Sequence, residues 1–281
     1  MDNSIIKTRL AHYTIHTLED EENALKEIIQ EIALYALSTT DFFQHAQFQG
    51  GTALRILYQL PRFSEDLDFI LNTTNPDFKW KNYISAIEKT FLLYGITPEV
   101  KDRSKVSQPI QRLFLKDDSI GKTLNLSFQS SNQKKLLIKL EIDTNPPQHS
   151  RAARKYLDFP IDHAITCQDL PSNFAGKCHA LLCRPYEKGR DWFDLLWYLS
   201  QRVTVNLAFL ESALHQHGPW KGENLKLNVA WLQNALSEKI KQINWDQARQ
   251  EVQRFLGTAH RTSLDLWEKD FFLEKIKMIS D

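Results

Sequence analysis

Residues 48–71 read Phe-Gln-Gly-Gly-Thr-Ala-Leu-Arg-Ile-Leu-Tyr-Gln-Leu-Pro-Arg-Phe-Ser-Glu-Asp-Leu-Asp-Phe-Ile-Leu. Three elements follow from this string. Residues 46–49 form a first core strand, the Gly-Gly-Thr turn opens a short apolar helix over 51–59, and residues 66–71 form a second strand after a loop holding Arg62 and Ser64. Side chains of a strand alternate between its faces. Asp66 and Asp68 therefore share one face, about 6.6 Å apart at Cα for a rise of about 3.3 Å per residue. Leu67 and Phe69 take the other face and enter a core.

Outward from this stretch, residues 17–38 form a helix, with Thr17 as its cap and Glu19 to Glu22 at the positive end of its dipole. Leu25, Ile28, Ile29, Ile32 and Ala36 make its apolar stripe. Another amphipathic helix runs over 79–94 and stops near Gly95. The period then changes to two. Strands are expected over 97–102, 110–116, 123–129 and 136–143, and Pro146-Pro147 ends the last of them. That strand alternates, with Lys139, Glu141 and Asp143 on one face and Leu140 and Ile142 on the other. From Leu170 onward the pattern is helical, near 171–183, 190–200, 205–216, 224–237, 245–256 and 263–278. Strands with intervening helices, then a run of helices, give an α+β fold with a mixed sheet followed by an all-helical C-terminal domain. The division expected is 1–165 and 166–281.

Bulk properties exclude several classes. With 42% hydrophobic residues among 281, the chain can bury a large core. The 35 basic residues balance 35 acidic ones, so net charge offers no support for a nucleic-acid partner. Three cysteines, Cys167, Cys178 and Cys183, do not make a disulfide framework and suit a reducing compartment. No signal-peptide core and no apolar run of spanning length is present, so the expected location is the cytoplasm, away from membranes. There is no P-loop, no Rossmann glycine string and no Ser-His-Asp signature. His12 and His16 have helical spacing without a neighbouring glutamate or cysteine, and read as a surface pair. The aromatics at 192–198 and 220–231 read as helical core.

Two carboxylates on one strand face are oxygen ligands suited to a divalent ion. Gly50, Gly51 and Thr52 at a helix start offer free N–H groups and a hydroxyl to phosphate. Each feature alone also has a plain reading, a solvated strand face and an ordinary strand-to-helix turn. Their combination points to chemistry on a phosphorylated substrate. On the 136–143 strand, Glu141 and Asp143 both face the same way, which also has a plain reading as an exposed sheet edge. Lys134, Lys135 and Lys139, with Arg151, Arg154 and Lys155, form local basic clusters that either guide an RNA backbone or make a solvated loop.

The Gly50-Gly51-Thr52-Ala53-Leu54 opening and the Arg62-Phe63-Ser64-Glu65-Asp66-Leu67-Asp68-Phe69 string resemble the AbiEii/AbiGii toxin family of prokaryotic nucleotidyltransferases, within the polymerase-β-like superfamily. A second patch adds to the resemblance: Lys177, then Ala180-Leu181-Leu182-Cys183-Arg184, then Lys188-Gly189-Arg190-Asp191-Trp192-Phe193-Asp194-Leu195. Together the two patches cover about 45 residues. The resemblance implies a polymerase-β-like catalytic domain that transfers a nucleoside monophosphate from an NTP, with Mg²⁺ or Mn²⁺ as cofactor. Asp66, Asp68 and Glu141 would be metal ligands, with Glu141 or Asp143 helping to deprotonate the nucleophile. Gly50, Gly51, Thr52, Ser64 and Lys177 would hold the triphosphate, Arg62 is either a further contact or a surface charge, and Asp191 is a further site residue. Arg190 and Asp194 would make ion pairs across the two domains. The implied role is that of a toxin in a type IV toxin–antitoxin, or abortive infection, system. Its acceptor would be the tRNA 3′ end and its partner an antitoxin encoded nearby. The rivals are nucleotide transfer to a protein or small molecule, and a non-catalytic nucleotide-binding module.

Overall fold

The structure, a computed structural model, describes residues 4–105, 108–117, 119 and 136–280. The strand expected over 123–129, with Lys134 and Lys135, lies outside the described residues. The chain divides into two units. The first holds Met1–Gln59, Phe63–Pro146 and Ala153–Cys167, and the second holds Leu60–Arg62, Pro147–Ala152 and Gln168–Asp281.

The first unit contains helices α1 (Ser4–Leu10), α2 (Leu18–Ser38), α3 (Phe42–His45), α4 (Gly50–Tyr58) and α5 (Lys81–Leu93). Its strands are β1 (Ala46–Gln49), β2 (Asp66–Leu71), β3 (Glu99–Asp102), β4 (Ile110–Asp117), β5 (Leu136–Asp143), β6 (Ala152–Leu157) and β7 (His163–Gln168). They form one mixed sheet of order β3-β4-β5-β2-β1-β7-β6. β2 runs antiparallel to β1 and parallel to β5.

Helix α2 starts where its cap dictates. The Thr17 hydroxyl accepts from the Asp20 amide, and the Asp20 carboxylate accepts from the Thr17 amide at 3.0 Å. The expected stripe of Leu25, Ile28, Ile29, Ile32 and Ala36 is buried throughout. Beneath the sheet, Phe69 of β2 packs against Phe42 at a centroid distance of 5.0 Å and Phe48 at 5.4 Å. Trp80 and Tyr83 extend this aromatic cluster. Aromatic packing of this kind anchors the strand that carries Asp66 and Asp68 from the opposite face.

Two strands depart from the sequence reading. β6 and β7 occupy residues that carried no strand expectation. β6 alternates exposed and half-buried positions and carries Arg154 and Lys155, so it has no apolar face to announce it. β7 is six residues long and joins the sheet through β1, with Phe48 in register with Cys167.

The second unit is helical: α6 (Leu170–Cys183), α7 (Gly189–Ser200), α8 (Leu207–Gln216), α9 (Val229–Gln242), α10 (Trp245–Gln253), α11 (Thr258–Arg261) and α12 (Lys269–Lys275). α9 begins later than the expected residue 224 because Asn228 is its cap, accepting from the Trp231 amide at 2.8 Å. The helix expected over 263–278 is broken into 3₁₀ turns on either side of α12. Trp192, Trp245, Trp267 and Phe272 pack together, with Trp245 stacked on Phe272 at 4.2 Å. Trp192 is therefore core, as read from sequence. Trp220 and Trp231 are half-buried and meet edge-on at 5.3 Å. His12 is exposed in a turn after α1 and His16 is exposed outside any helix, so the helical pairing of the two does not form.

Candidate active site

The sheet register determines which carboxylates meet. Asp66 is opposite Lys139 and Asp68 is opposite Glu141 across the β2–β5 pair. Glu141 is in turn opposite Arg112 across β4–β5. Side chains of in-register residues stand on the same face. Asp66, Asp68, Lys139, Glu141 and Arg112 thus share the face opposite the core. Their strand neighbours Leu67, Ile138, Leu140, Ile142 and Leu113 are buried on the other side.

Two cations pair with Asp66 and Glu141 on that face. Lys139 Nζ lies 3.0 Å from Asp66 Oδ2 and 3.2 Å from Glu141 Oε2. Arg112 Nε donates to Glu141 Oε1 at 2.6 Å. Partial burial opposes ionisation of Glu141, but hydrogen bonds and charge from Arg112 and Lys139 outweigh it and hold its carboxyl below the ordinary value. A carboxylate so stabilised is a better cation ligand than a proton acceptor. Asp143, the alternative third carboxylate, is one step along, opposite Ile70, and its Oδ1 accepts from the Asn145 amide at 2.9 Å. It caps the turn at the strand end.

Gly50 opens α4 with φ +79°, and a Cβ there would stand 2.8 Å from Asp68 Oδ2. The strand-to-helix turn thus brings the start of α4 against the Asp68 carboxylate. Gly50→Ala is expected to cost about 1–2 kcal/mol of stability for its left-handed backbone alone, and to displace Asp68. Transfer activity should fall by more than the lost folded fraction. Urea denaturation and an activity assay on the same preparation check this. Gly51 is the second residue of α4. Thr52, expected as a phosphate donor, is fully buried, and its hydroxyl donates to the Asp66 carbonyl. It ties α4 to β2 instead of facing a ligand. Ser64 is half-buried, and its carbonyl accepts from Gln30 Nε2 at 3.0 Å.

The helical unit holds a separate ion network. Arg62 donates from Nε and Nη2 to the two oxygens of Asp194, at 2.6 Å each. Its side chain is 3% exposed and that of Asp194 is 0%. The structure therefore replaces the expected phosphate contact of Arg62 with a buried bidentate pair. Lys177 Nζ lies 2.6 Å from Asp191 Oδ1 and 2.8 Å from Asp194 Oδ2, and Arg184 closes on the other oxygen of Asp191. Burial opposes ionisation throughout. The Asp191 and Asp194 charges outweigh it for Lys177 and raise its pKa, while Lys177 and Arg184 hold Asp191 down at about 2. Lys177 and Asp191 are partners of one another. Arg190 pairs at 2.9 Å with Glu251, inside the same unit and not across two domains.

Among the described residues, no group of three or more His, Cys, Asp or Glu side chains is gathered closely enough to hold a metal ion. The acidic face nonetheless offers hard carboxylate oxygens, the donor type that suits a divalent cation. The Lys139 ammonium stands between two of them.

Comparison with known proteins places the chain in a family. The sequence profile of the nucleotidyl transferase AbiEii toxin of type IV toxin–antitoxin systems matches residues 32–275. The chain belongs to that family and is a nucleotidyltransferase. Two solved structures from Helicobacter pylori share the fold. One, a candidate nucleotidyltransferase, is 18% identical with a TM-score of 0.52, over 90% of this chain and 91% of that one. The other, JHP933, is 17% identical with a TM-score of 0.50, over 92% and 90% respectively. No curated protein matches the chain. Among the described residues, no helix is long and apolar enough to cross a membrane.

Proposed function

We propose that the chain is a Mg²⁺-dependent toxin that transfers a nucleoside monophosphate from an NTP to the 3′ end of tRNA. The single observation behind this reading is the register that sets Asp68 beside Glu141 and Asp66 beside Lys139 on one face, next to the start of α4. Asp66, Asp68 and Glu141 are the residues that would hold magnesium. Bound there, the ion supplies charge neutralisation for the α-phosphate and the pyrophosphate leaving group. The backbone of Gly50 and Gly51 and the Ser64 hydroxyl bind the phosphates. Thr52 acts one step back, fixing α4 on β2. Arg112 orients Glu141. Lys177 and Asp191 act as a charged pair of the helical unit, each keeping the other ionised. Nucleotidyl transfer belongs to residues 1–165, and residues 166–281 form the helical domain. The reaction takes place in the cytoplasm. The family's toxin–antitoxin description supports an antitoxin as genetic partner.

The test is transfer of label from each α-³²P NTP in turn to total tRNA with Mg²⁺ present. Label at the tRNA 3′ end, dependent on Asp66, is the expected result. Label on proteins instead would redirect the reading to protein nucleotidylation, and no transfer together with no Mg·NTP binding would overturn it.

A further inference from the structure

We infer that Lys139 is a placeholder cation: its ammonium occupies the position between Asp66 and Glu141 that a divalent ion takes, and the ion must displace it to bind. This rests on the reading of that face as a metal site.

The sheet itself brings Lys139 there. Its register partner is Asp66, and Glu141 lies two residues along the same strand and face. Nζ meets one oxygen of each, at 3.0 and 3.2 Å. The core does not need this lysine. Ile138 and Leu140, on either side of it, are the buried residues that hold β5 in the sheet. Asp66, Asp68 and Glu141 form one group on this face with the cations Lys139 and Arg112. Their formal sum is −1, and without the lysine it would be −2. Like charges crowded on one face repel, so a metal-free site needs an internal counter-ion.

A lysine suits a temporary role better than an arginine. Its charge is a compact point on a flexible stem, without the planar fork that locks a carboxylate in two hydrogen bonds. The Lys139 side chain is 27% exposed, so its ammonium has a route to water. Arg112 occupies the Glu141 oxygen that Lys139 leaves alone. Glu141 therefore stays oriented when the lysine departs.

Competition for the same oxygens makes a prediction opposite to that for a supporting ligand-shell residue. Removing Lys139 should tighten metal binding. Binding of Mn²⁺ to the full chain, followed by the loss of the free-ion electron paramagnetic resonance signal, reads this directly. Lys139→Met is expected to bind Mn²⁺ about tenfold more tightly than the wild type, the scale of two partly exposed ion-pair contacts. Lys139→Arg keeps the charge and should bind no more tightly than the wild type. Without metal, Lys139→Met should melt below the wild type, and Mn²⁺ should raise its melting temperature by more. If Lys139→Met folds poorly, Lys139→Gln serves for the same titration. Affinity in Lys139→Met and Lys139→Gln that is unchanged or weaker, with Asp66→Asn weaker than the wild type, would overturn the placeholder role and leave the metal site standing. Equal Mn²⁺ binding by the wild type, Asp66→Asn and Glu141→Gln would instead remove the metal site, and the placeholder role with it.

Discussion

Asp66→Asn is expected to reduce nucleotidyl transfer about a thousandfold while leaving the fold in place. The substitution keeps the shape of the side chain and removes its charge. Ligation and phosphate charge neutralisation contribute several kcal/mol to the transition state, and about 1.4 kcal/mol corresponds to each factor of ten in rate. The structural loss is small by comparison. The Asp66 side chain is 37% exposed, and it pairs with Lys139, which is itself partly exposed. Pairs of that kind contribute about 0–1 kcal/mol. Melting temperature should therefore move by a few degrees at most, while activity falls by orders of magnitude. Glu141→Gln should lose activity on a similar scale. Asp143→Asn should lose less than about tenfold, because its register partner is Ile70 and an asparagine can still cap the Asn145 amide. Initial rates with purified variants check all three. A Glu141→Gln variant with wild-type activity beside an inactive Asp143→Asn would reverse the assignment of the third carboxylate.

That contrast marks how far the sequence reaches. Alternation places Asp66 with Asp68, and Glu141 with Asp143, on common faces, because a strand's period of two is local. It cannot choose between Glu141 and Asp143, since the choice depends on the β2–β5 register. Register is a tertiary quantity, and here it aligns Glu141 with Asp68. Lys139 is visible in the sequence as a basic residue of the candidate strand. Its position between two carboxylates follows only once β5 is laid against β2. The cap at Thr17 and the stripe of α2 are legible because both are encoded within one turn or one helix. β6 is not legible, because an edge strand with charged alternation lacks the apolar rhythm that identifies a strand. Arg62 misleads for a different reason. It sits in the motif string beside Ser64, yet its partner is Asp194, 132 residues away. A contact that distant leaves no local signal.

Arg62→Met is the substitution expected to cost the most stability, about 3–5 kcal/mol, the scale for removing one partner of a buried ion pair. The arginine supplies two hydrogen bonds to Asp194, whose side chain is 0% exposed. Without it, Lys177 is left to serve Asp194 while also pairing with Asp191. Acid should reveal the same defect. Burial works to raise the pKa of both aspartates, but Arg62 and Lys177 outweigh it for Asp194, and Lys177 and Arg184 outweigh it for Asp191. Folded-state values below the unfolded ones contribute stability that is fully present above about pH 4 and is lost as pH falls through the folded-state values, about 2 for Asp191. Taking Arg62 away removes the largest opposing influence on Asp194, so burial raises its pKa and the loss begins at higher pH. Urea denaturation at pH 7 and at a series of lower values reads both effects. The double variant Arg62→Met with Asp194→Leu should regain part of the loss at pH 7 and show a weaker acid dependence than Arg62→Met, because no unpaired buried carboxylate remains. A single variant within about 1 kcal/mol of the wild type, with an unmoved acid transition, would mean that the Arg62–Asp194 pair does not hold the helical unit together.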